Sequence, residues 1–306
     1  MDTLQAISVF VRVAEAKSFV AAAKRLGLSP SAASKSVTRL EQRLAVRLLN
    51  RTTRSVSLTE DGNTFFERCR HILGQLEDAE TAVTQEQSQP RGRLRVLMPP
   101  GFGRAVLVPV LAKLAERYEE LVVDVEFSGR VVDLAEEGVD VVICIGELRD
   151  TRLVARKLCD VRYVVVAAPS YLARYGEPRT PEDLARHRCL GYHIPHTHRY
   201  RDWNFSLGKQ RLSKHISGRL NMNDGAALLE AAVDGAGIAT VASFLVADAL
   251  RSGKLRVILR DYVSVGPPVW IAYLERRHLS GRIRAFVDFV SAHVPRSTSW
   301  DGVLEN

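Results

Sequence analysis

FVRVAEAKSFVAAAKRLGLSPSAASKSVTRLEQRLAVRLLNRTTRSVSLTEDG, residues 10–62, decides how this chain is read. Leu4 and Ile7, just upstream, join Val11 and Ala14 at three- and four-residue steps, which predicts an amphipathic helix over 3–16. Ser18 is a suitable N-cap for a second helix over 19–26, and its Ala21, Ala22 and Ala23 let another helix approach closely. Gly27 supplies the positive φ of a sharp turn, beneath which Leu28 packs. Ser29 caps a third helix, with Pro30 at its first position, where a missing N–H costs nothing. That helix is predicted to run to about Val46, burying Ala33, Val37, Leu40 and Leu44 and turning Ser31, Ser34, Lys35, Thr38 and Arg39 outward. The following NRTTRSVSLT, residues 50–59, alternates polar and β-branched residues and reads as a small hairpin. This wing would carry Arg51 and Arg54 along a nucleic-acid backbone or into a minor groove.

Helix, glycine turn, helix with a polar and basic outer face is a helix-turn-helix pattern, whose second helix enters the major groove. There Ser and Lys reach base edges and Arg clamps phosphate. An ordinary three-helix bundle would show the same apolar stripe. Charge separates the two readings. Residues 12–54 hold ten Lys/Arg against Glu15 and Glu41, which accounts for the whole formal charge of +8 and leaves the rest of the chain neutral. A short basic module on a neutral body is the footprint of a nucleic-acid reader rather than of a merely solvated face.

The full length of 306 residues suits about two domains, and 46% apolar with 25% charged residues excludes wholesale disorder. No long uncharged apolar run suggests a membrane span, and the N-terminal stretch, interrupted by Asp2, Arg12 and Glu15, does not read as an export signal. The expected location is therefore the cytoplasm. Cys69, Cys144, Cys159 and Cys189 lie far apart without a CxxC pair, so neither a disulfide scaffold nor a zinc cluster is expected.

Thr59, followed by Glu60 and Asp61, can open a long helix. Within it Phe65, Cys69, Ile72, Leu76, Ala79 and Val83 alternate steps of four and three, the seam that pairs helices. A helix lying on its own body would show a similar stripe. QSQPRG, residues 87–92, marks a hinge. Beyond it, candidate strands at 93–98, 121–127, 139–145, 161–168, 219–222, 237–241 and 269–274 alternate with candidate helices at 103–118, 170–175, 181–187, 224–234, 243–251 and 281–293. That alternation predicts mainly parallel sheets covered on both faces, and about 200 residues suit two α/β lobes around a cleft.

Residues 10–62 resemble the winged helix-turn-helix of the LysR-type transcriptional regulators. The family pattern is carried by Ala21 to Ala23, Ser34-Lys35, Leu40-Glu41, Leu48-Leu49-Asn50-Arg51 and Leu58-Thr59 with Gly62; Ala45 stands where the family commonly has glycine. The later part is similar to the family's effector-binding domain through FGRAVLVPVLAKL, VVDLAEEGVDVVICIGELRDTRLVARKL, AAPSYLARYGEPRTPEDLARHRCLGYH and NDGAALLEAAVDGAGIATVASFLVADALRSGKL. The resemblance implies an α/β chain with an N-terminal all-α winged helix-turn-helix at 1–58 and a dimerising linker helix at 59–89. A two-lobed α/β effector domain resembling periplasmic binding proteins would follow at 90–294, with lobe I at about 90–161 and 267–294 and lobe II at about 162–266. Residues 295–306 would be a disordered tail.

Function follows from the same resemblance: a sequence-specific regulator of transcription controlled by a small-molecule effector in the cleft, and not an enzyme. Its partners would be double-stranded DNA bearing an interrupted inverted repeat, a second copy through residues 59–89, a tetramer built from such dimers, and RNA polymerase if it activates; no membrane partner or cofactor is implied. DNA contacts are expected from Ser29, Pro30, Ser31, Ser34, Lys35, Thr38, Arg39, Arg51 and Arg54. Effector contacts are expected from Pro100, Gly101, Phe102, Ser128, Arg130, Gly146, Arg201, Trp203 and Asn223. Physically, N–H groups of Gly101, Phe102 and Gly103 at a helix start suit a carboxylate, Arg130 or Arg201 could pair with it, and Trp203 could cover an apolar part. Loop stabilisation would explain each residue equally well. Two departures matter: Pro99-Pro100 replace the usual Ser or Thr, removing donors, and Cys144 stands where relatives often carry arginine.

Other constellations fail. His193, His196 and His198 lack a completing ligand beyond Asp202 and read as a solvated loop rather than a metal site. Gly101-x-Gly103 has no third glycine, and no GxSxG, HExxH or P-loop occurs, so no catalytic residue is expected. A solute-binding protein with a vestigial helix-turn-helix, or an enzyme with a DNA-binding appendage, are the competing classes.

Overall fold

In the computed structural model, which describes residues 3–294 except 52–55, 85–89, 131, 149, 195–198, 209, 217, 263 and 276–278, the chain forms two units, Met1–Ser88 and Gln89–Asn306. The first begins with α1 (Thr3–Ala16), α2 (Phe19–Leu26) and α3 (Pro30–Leu44). Local chemistry sets their ends. Ser18 Oγ accepts the Ala21 N–H at 3.3 Å and Ser29 Oγ accepts that of Ala32 at 3.1 Å. Gly27 closes α2 at φ +66°, a backbone that costs glycine nothing. The third helix stops at Leu44, short of the predicted Val46, because Ala45 turns left-handed at φ 55° and ψ 27°. The inner face of α1 keeps Val11 and Ala14 of the predicted stripe, both buried, and extends round the helix beyond it. Ala6, Val9, Phe10 and Val13 are buried, whereas Leu4 and Ile7 are half-buried.

β1 (Leu49–Arg51) and β2 (Val56–Leu58) form the expected antiparallel hairpin, with Leu49 opposite Leu58 and Arg51 opposite Val56. Then comes α4 (Glu60–Thr84), which Thr59 caps by accepting the Gly62 N–H at 2.9 Å. Gly62 is obligatory for another reason: a Cβ there would stand 1.9 Å from the Leu48 carbonyl oxygen. The predicted seam on α4 divides in two over its described side chains, with Ala79 and Val83 lying outside them. Phe65 and Cys69 join Phe66 and Leu73 in the core around Phe10, whose ring lies 5.7 Å from Phe65 and 6.4 Å from Phe66. Ile72 and Leu76 instead stand exposed, at 53% and 37%.

The second unit opens with β3 (Gly92–Met98) and a helical run that starts at Pro100, three residues earlier than predicted. It comprises α5 (Pro100–Phe102), a π-helical turn (Gly103–Leu107) and α6 (Val108–Arg117). After β4 (Leu121–Phe127), α7 (Leu134–Glu137) and β5 (Val141–Ile145) comes β6 (Leu153–Ala167), twice the length of the predicted 161–168 strand. Its first half escaped notice because Arg156 and Lys157 interrupt the apolar pattern. α8 (Pro169–Tyr175) precedes a single 3₁₀ turn at Asp183–Arg186, where a helix over 181–187 was expected. Four strands absent from the prediction follow: β7 (Cys189–Ile194), β8 (Arg199–Tyr200), β9 (Trp203–Leu207) and β10 (Gln210–Lys214). The chain continues as β11 (Leu220–Met222), α9 (Gly225–Val233), β12 (Ile238–Ala242), α10 (Ser243–Arg251), β13 (Arg256–Ile258), β14 (Ser264–Leu274) and α11 (Gly281–His293).

Pairing along the main sheet is parallel within each half, β3 with β4 and β5, β7 with β11 and β12, while the short β8 on β7 and the separate β9–β10 hairpin are antiparallel. It turns antiparallel where β6 and β14 are inserted between the halves, so the expected mainly parallel sheet is a mixed one. These two strands carry the chain across and back, and the β14 register against β6 shifts between Val265 and Pro268 and again between Val269 and Trp270. Two apolar cores flank the crossing. One gathers Leu94, Val96, Leu107, Ile271 and Phe286; the other gathers Val164, Val166, Leu190, Trp203 and Ile238. The unit is therefore two-lobed. No described helix is long and apolar enough to cross a membrane.

Candidate nucleic-acid interface and inter-lobe cleft

Along α3, Ser31, Lys35 and Arg39 are exposed, with Ser34 and Thr38 half-buried beside them. Ser29 and Pro30, also exposed, start the helix at the positive end of its dipole. Ser29 Oγ lies 3.0 Å from Ser31 Oγ.

Arg51 departs from expectation. Rather than reaching away along the wing, it folds back onto α3. Its Nη1 donates to Ser34 Oγ at 3.3 Å and Thr38 Oγ1 at 3.1 Å, and its Nη2 meets Glu41 Oε2 at 2.6 Å. The guanidinium also lies 5.1 Å from the centroid of the Phe19 ring. Ser34, Thr38 and Glu41 are spaced i, i+4 and i+7, one face of a helix, so a planar fork from the neighbouring strand spans them together. Arg51 is thus held by protein groups and joins the wing to the reading helix. Glu41 enters the sequence reading only through a motif and the charge balance. Its Oε1 accepts the N–H groups of Leu48 and Leu49 at 2.9 and 3.0 Å, fixing where the hairpin begins. Arg54 lies outside the described residues.

In the second unit the nine expected cleft residues separate. Phe102 is 1% exposed, its ring 5.4 Å from that of Phe244 in an edge contact, and Trp203, also 1% exposed, sits in the second core. Both are large apolar side chains that burial claims first. Arg130 is held by Glu126 at 3.2 Å and by Glu137 at 2.8 Å, and these raise its pKa; its charge is answered within the protein. The Gly103 N–H donates to Pro99 O at 2.8 Å, so this group is not available for a carboxylate. Pro100 and Gly101 are half-buried, and Gly101 faces Leu245 and Phe244 at the start of α10. Ser128 Oγ accepts the Arg130 N–H at 3.3 Å, Gly146 takes a positive φ of 106° and donates to Pro268 O at 2.9 Å, and Asn223 is exposed.

Arg201 is placed among aromatic rings. Its guanidinium lies over Tyr163 and Tyr192, 4.2 and 4.5 Å from the ring centroids, and donates to Thr240 O at 2.9 Å. Tyr192, Thr240 and the crossover residue Tyr163 were not singled out in the sequence. Burial raises the Tyr192 pKa, partly offset by Arg201. Among the described residues, the buried Thr240 Oγ1 and Ser243 Oγ have no hydrogen-bond partner, the latter on the first residue of α10.

The remaining candidates come to little. Burial pushes Cys69, Cys144, Cys159 and Cys189 each up to about 11, keeping them as thiols at neutral pH. His193 packs edge-on to Tyr200 at 5.9 Å, and His196 and His198 lie outside the described residues. Among the described residues no group of three His, Cys, Asp or Glu is placed to hold a metal ion.

With this geometry in hand, comparison with known proteins gives matches over nearly the whole chain. Residues 4–63 match the family model described as bacterial regulatory helix-turn-helix protein, lysR family, and residues 87–295 match the LysR substrate binding domain. An HTH-type transcriptional repressor of Pseudomonas aeruginosa is 36% identical over 290 residues, 95% of this chain and 92% of that protein. The regulator CrgA of Neisseria meningitidis serogroup C is 37% identical over 93% of this chain and 94% of its own. Among solved structures, CrgA from N. meningitidis superposes with a TM-score of 0.61 at 36% identity, covering 95% of this chain and 98% of that one. The full-length Vibrio cholerae virulence activator AphB, described as a member of the LTTR family, gives 0.60 at 26% identity, covering 96% and 100%.

Proposed function

The chain belongs to the LysR family of transcriptional regulators and is not an enzyme, and from that premise we propose that it reads an interrupted inverted repeat in double-stranded DNA under the control of a small molecule bound between its two lobes. The observation that carries this reading is the outward row Ser31, Lys35 and Arg39 on a capped helix inside the basic module. Ser29, Pro30, Ser34 and Thr38 complete the contact set, with Arg54 from the wing and Arg51 in support. Domain limits of 1–58, 59–89 and 90–294 follow from the same reading, as does pairing through the linker helix, which Ile72 and Leu76 favour by standing exposed one turn apart. Assembly to a tetramer, residence in the cytoplasm and, if the protein activates, contact with RNA polymerase belong to this proposal.

For the effector, Arg201 is the group we assign to an anionic moiety, with Pro100, Gly101, Ser128, Gly146 and Asn223 at the rim. Arg130, Phe102 and Trp203 shape the lobes rather than touch the ligand. A solute scavenger with a vestigial helix-turn-helix gives way, since the relatives matching over the full length are regulators.

Selection from random duplex DNA by the full-length protein at moderate salt, followed by sequencing, tests the DNA reading. An inverted repeat with half-sites about one helical turn apart supports a paired reader. An unenriched pool, with binding that vanishes as salt rises, means attraction to the backbone alone and overturns the proposal.

A further inference from the structure

The contact between Arg51 and α3 constrains what the reading helix can recognise. A hydroxyl has one O–H donor and two acceptor lone pairs, and an unconstrained Ser or Thr can serve either polarity. Ser34 Oγ and Thr38 Oγ1 each already accept an N–H from Arg51 Nη1, at 3.3 and 3.1 Å. Arg51 is itself immobilised by Glu41 and Phe19. The nearby cation disfavours a second donor at either oxygen and turns each O–H away from itself. A hydroxyl on a helix often spends that proton on its own backbone, as Thr64 does in donating to Glu60 O at 3.3 Å. Among the described residues Ser34 and Thr38 make no such bond, so their protons are left to point outward. Their neighbour Lys35, exposed on the same surface, is a donor only.

Major-groove edges differ in this polarity. Guanine offers N7 and O6 as acceptors, adenine N7 and thymine O4, whereas the adenine N6 and cytosine N4 amino groups donate. Resting on the DNA reading above, we infer that Arg51 sets Ser34 and Thr38 as hydrogen-bond donors, so that they read the acceptor atoms of purine N7, guanine O6 or thymine O4 and are blind to base amino groups. Arg51 is then a positioning residue that determines specificity without touching DNA.

The test uses the full-length protein and the site it selects. Single bases in one half-site are replaced by analogues lacking an acceptor: 7-deazapurines for N7, 2-aminopurine for guanine O6 and 5-methyl-2-pyrimidinone for thymine O4. A second set lacks a donor: purine for adenine and 2-pyrimidinone for cytosine. At one or two positions, loss of the acceptor should weaken binding about 3- to 10-fold, the worth of one hydrogen bond. That penalty should fall below about twofold in Ser34→Ala or Thr38→Ala, while loss of an amino group at the same positions changes wild-type affinity less than about twofold. In Arg51→Met the amino deletions should begin to cost binding there. A penalty for a missing amino group that disappears in Ser34→Ala or Thr38→Ala overturns the inference. So does the absence of any analogue penalty that depends on either residue, and an Arg51→Met variant that keeps the wild-type analogue pattern. Failure to select any site would overturn the DNA reading itself and is distinct from all three.

Discussion

Replacing Glu41 by alanine isolates the joint between reading helix and wing. The carboxylate accepts the Leu48 and Leu49 N–H groups at 2.9 and 3.0 Å and pairs with Arg51 at 2.6 Å. Leu48 and Leu49 are only 2% and 3% exposed, so water replaces the lost acceptor poorly. A hydrogen bond to a charged group contributes about 1.5 kcal/mol at the low end, so two give about 3 kcal/mol. The Arg51 pair, with side chains 30% and 14% exposed, adds less than about 1 kcal/mol after solvent screening. The Leu48 and Leu49 amides, exchanging through local opening, should therefore exchange about 150-fold faster in Glu41→Ala. Glu41→Gln retains an oxygen acceptor and should accelerate them by about tenfold or less. Hydrogen exchange of the full chain, read on a fragment spanning 46–50 with one from α6 as internal standard, measures both. Exchange in Glu41→Ala within threefold of the unaltered protein would refute the assignment of Glu41 as the acceptor holding the hairpin.

Ala45→Gly should stabilise the first unit by about 0.5–1 kcal/mol, because a left-handed alanine costs about 1–2 kcal/mol and glycine returns part of that as unfolded-chain entropy; an unchanged or lower urea midpoint by circular dichroism would contradict the φ at that position. Asp150 is held down to about 2, first by the Arg152 guanidinium and then by the Arg152 N–H. A lowered carboxylate pKa contributes stability in full above its usual value near 3.8 and loses it as pH falls from about 4 towards 2. In Arg152→Met, which keeps the backbone N–H, a carboxyl NMR titration should find the Asp150 pKa raised towards its usual value, and a pKa still near 2 would exclude the guanidinium as the main cause. Leu76→Asp should reduce the full-length protein to a smaller assembly by light scattering, whereas an unchanged mass would reject pairing through the exposed part of α4.

The first unit was legible because its signals are local. Ser18, Gly27, Ser29 and Pro30 act within a turn or two of themselves, and each sits where it was placed. The resemblance even flagged Ala45, whose left-handed backbone is the conformation glycine would adopt freely. Arg51 was misread since its partners, Glu41 and Phe19, are neighbours only after folding. Arg130 was misread for less reason: Glu126 and Glu137 flank it in sequence and could have been weighed. In the cleft, loops were placed by resemblance and side-chain chemistry, neither of which reveals burial, and apolar packing drew Phe102 and Trp203 into the cores. Strands β7 to β10 stayed hidden because short runs broken by Gly191, Pro195 and Gly208 carry too few residues for a period of two to show.

The two strands that join the lobes have a mechanical consequence. A hydrogen-bonded ribbon resists stretching and in-plane shear but yields to twist. In β14 the register slips on either side of Pro268 and Val269, and the adjoining Pro267 and Pro268 bring no N–H to the ladder. Here a Cβ on Gly266 would stand 2.7 Å from Val161 O and 2.8 Å from the Tyr163 ring, so that stretch has no room for a side chain. The bridge between lobes is thus a torsion bar notched at one point, and Tyr163, the residue against that notch, is also the one that Arg201 rests upon. A group that displaced the Arg201 guanidinium would therefore press on Tyr163, beside the stretch where the ladder between the lobes is interrupted.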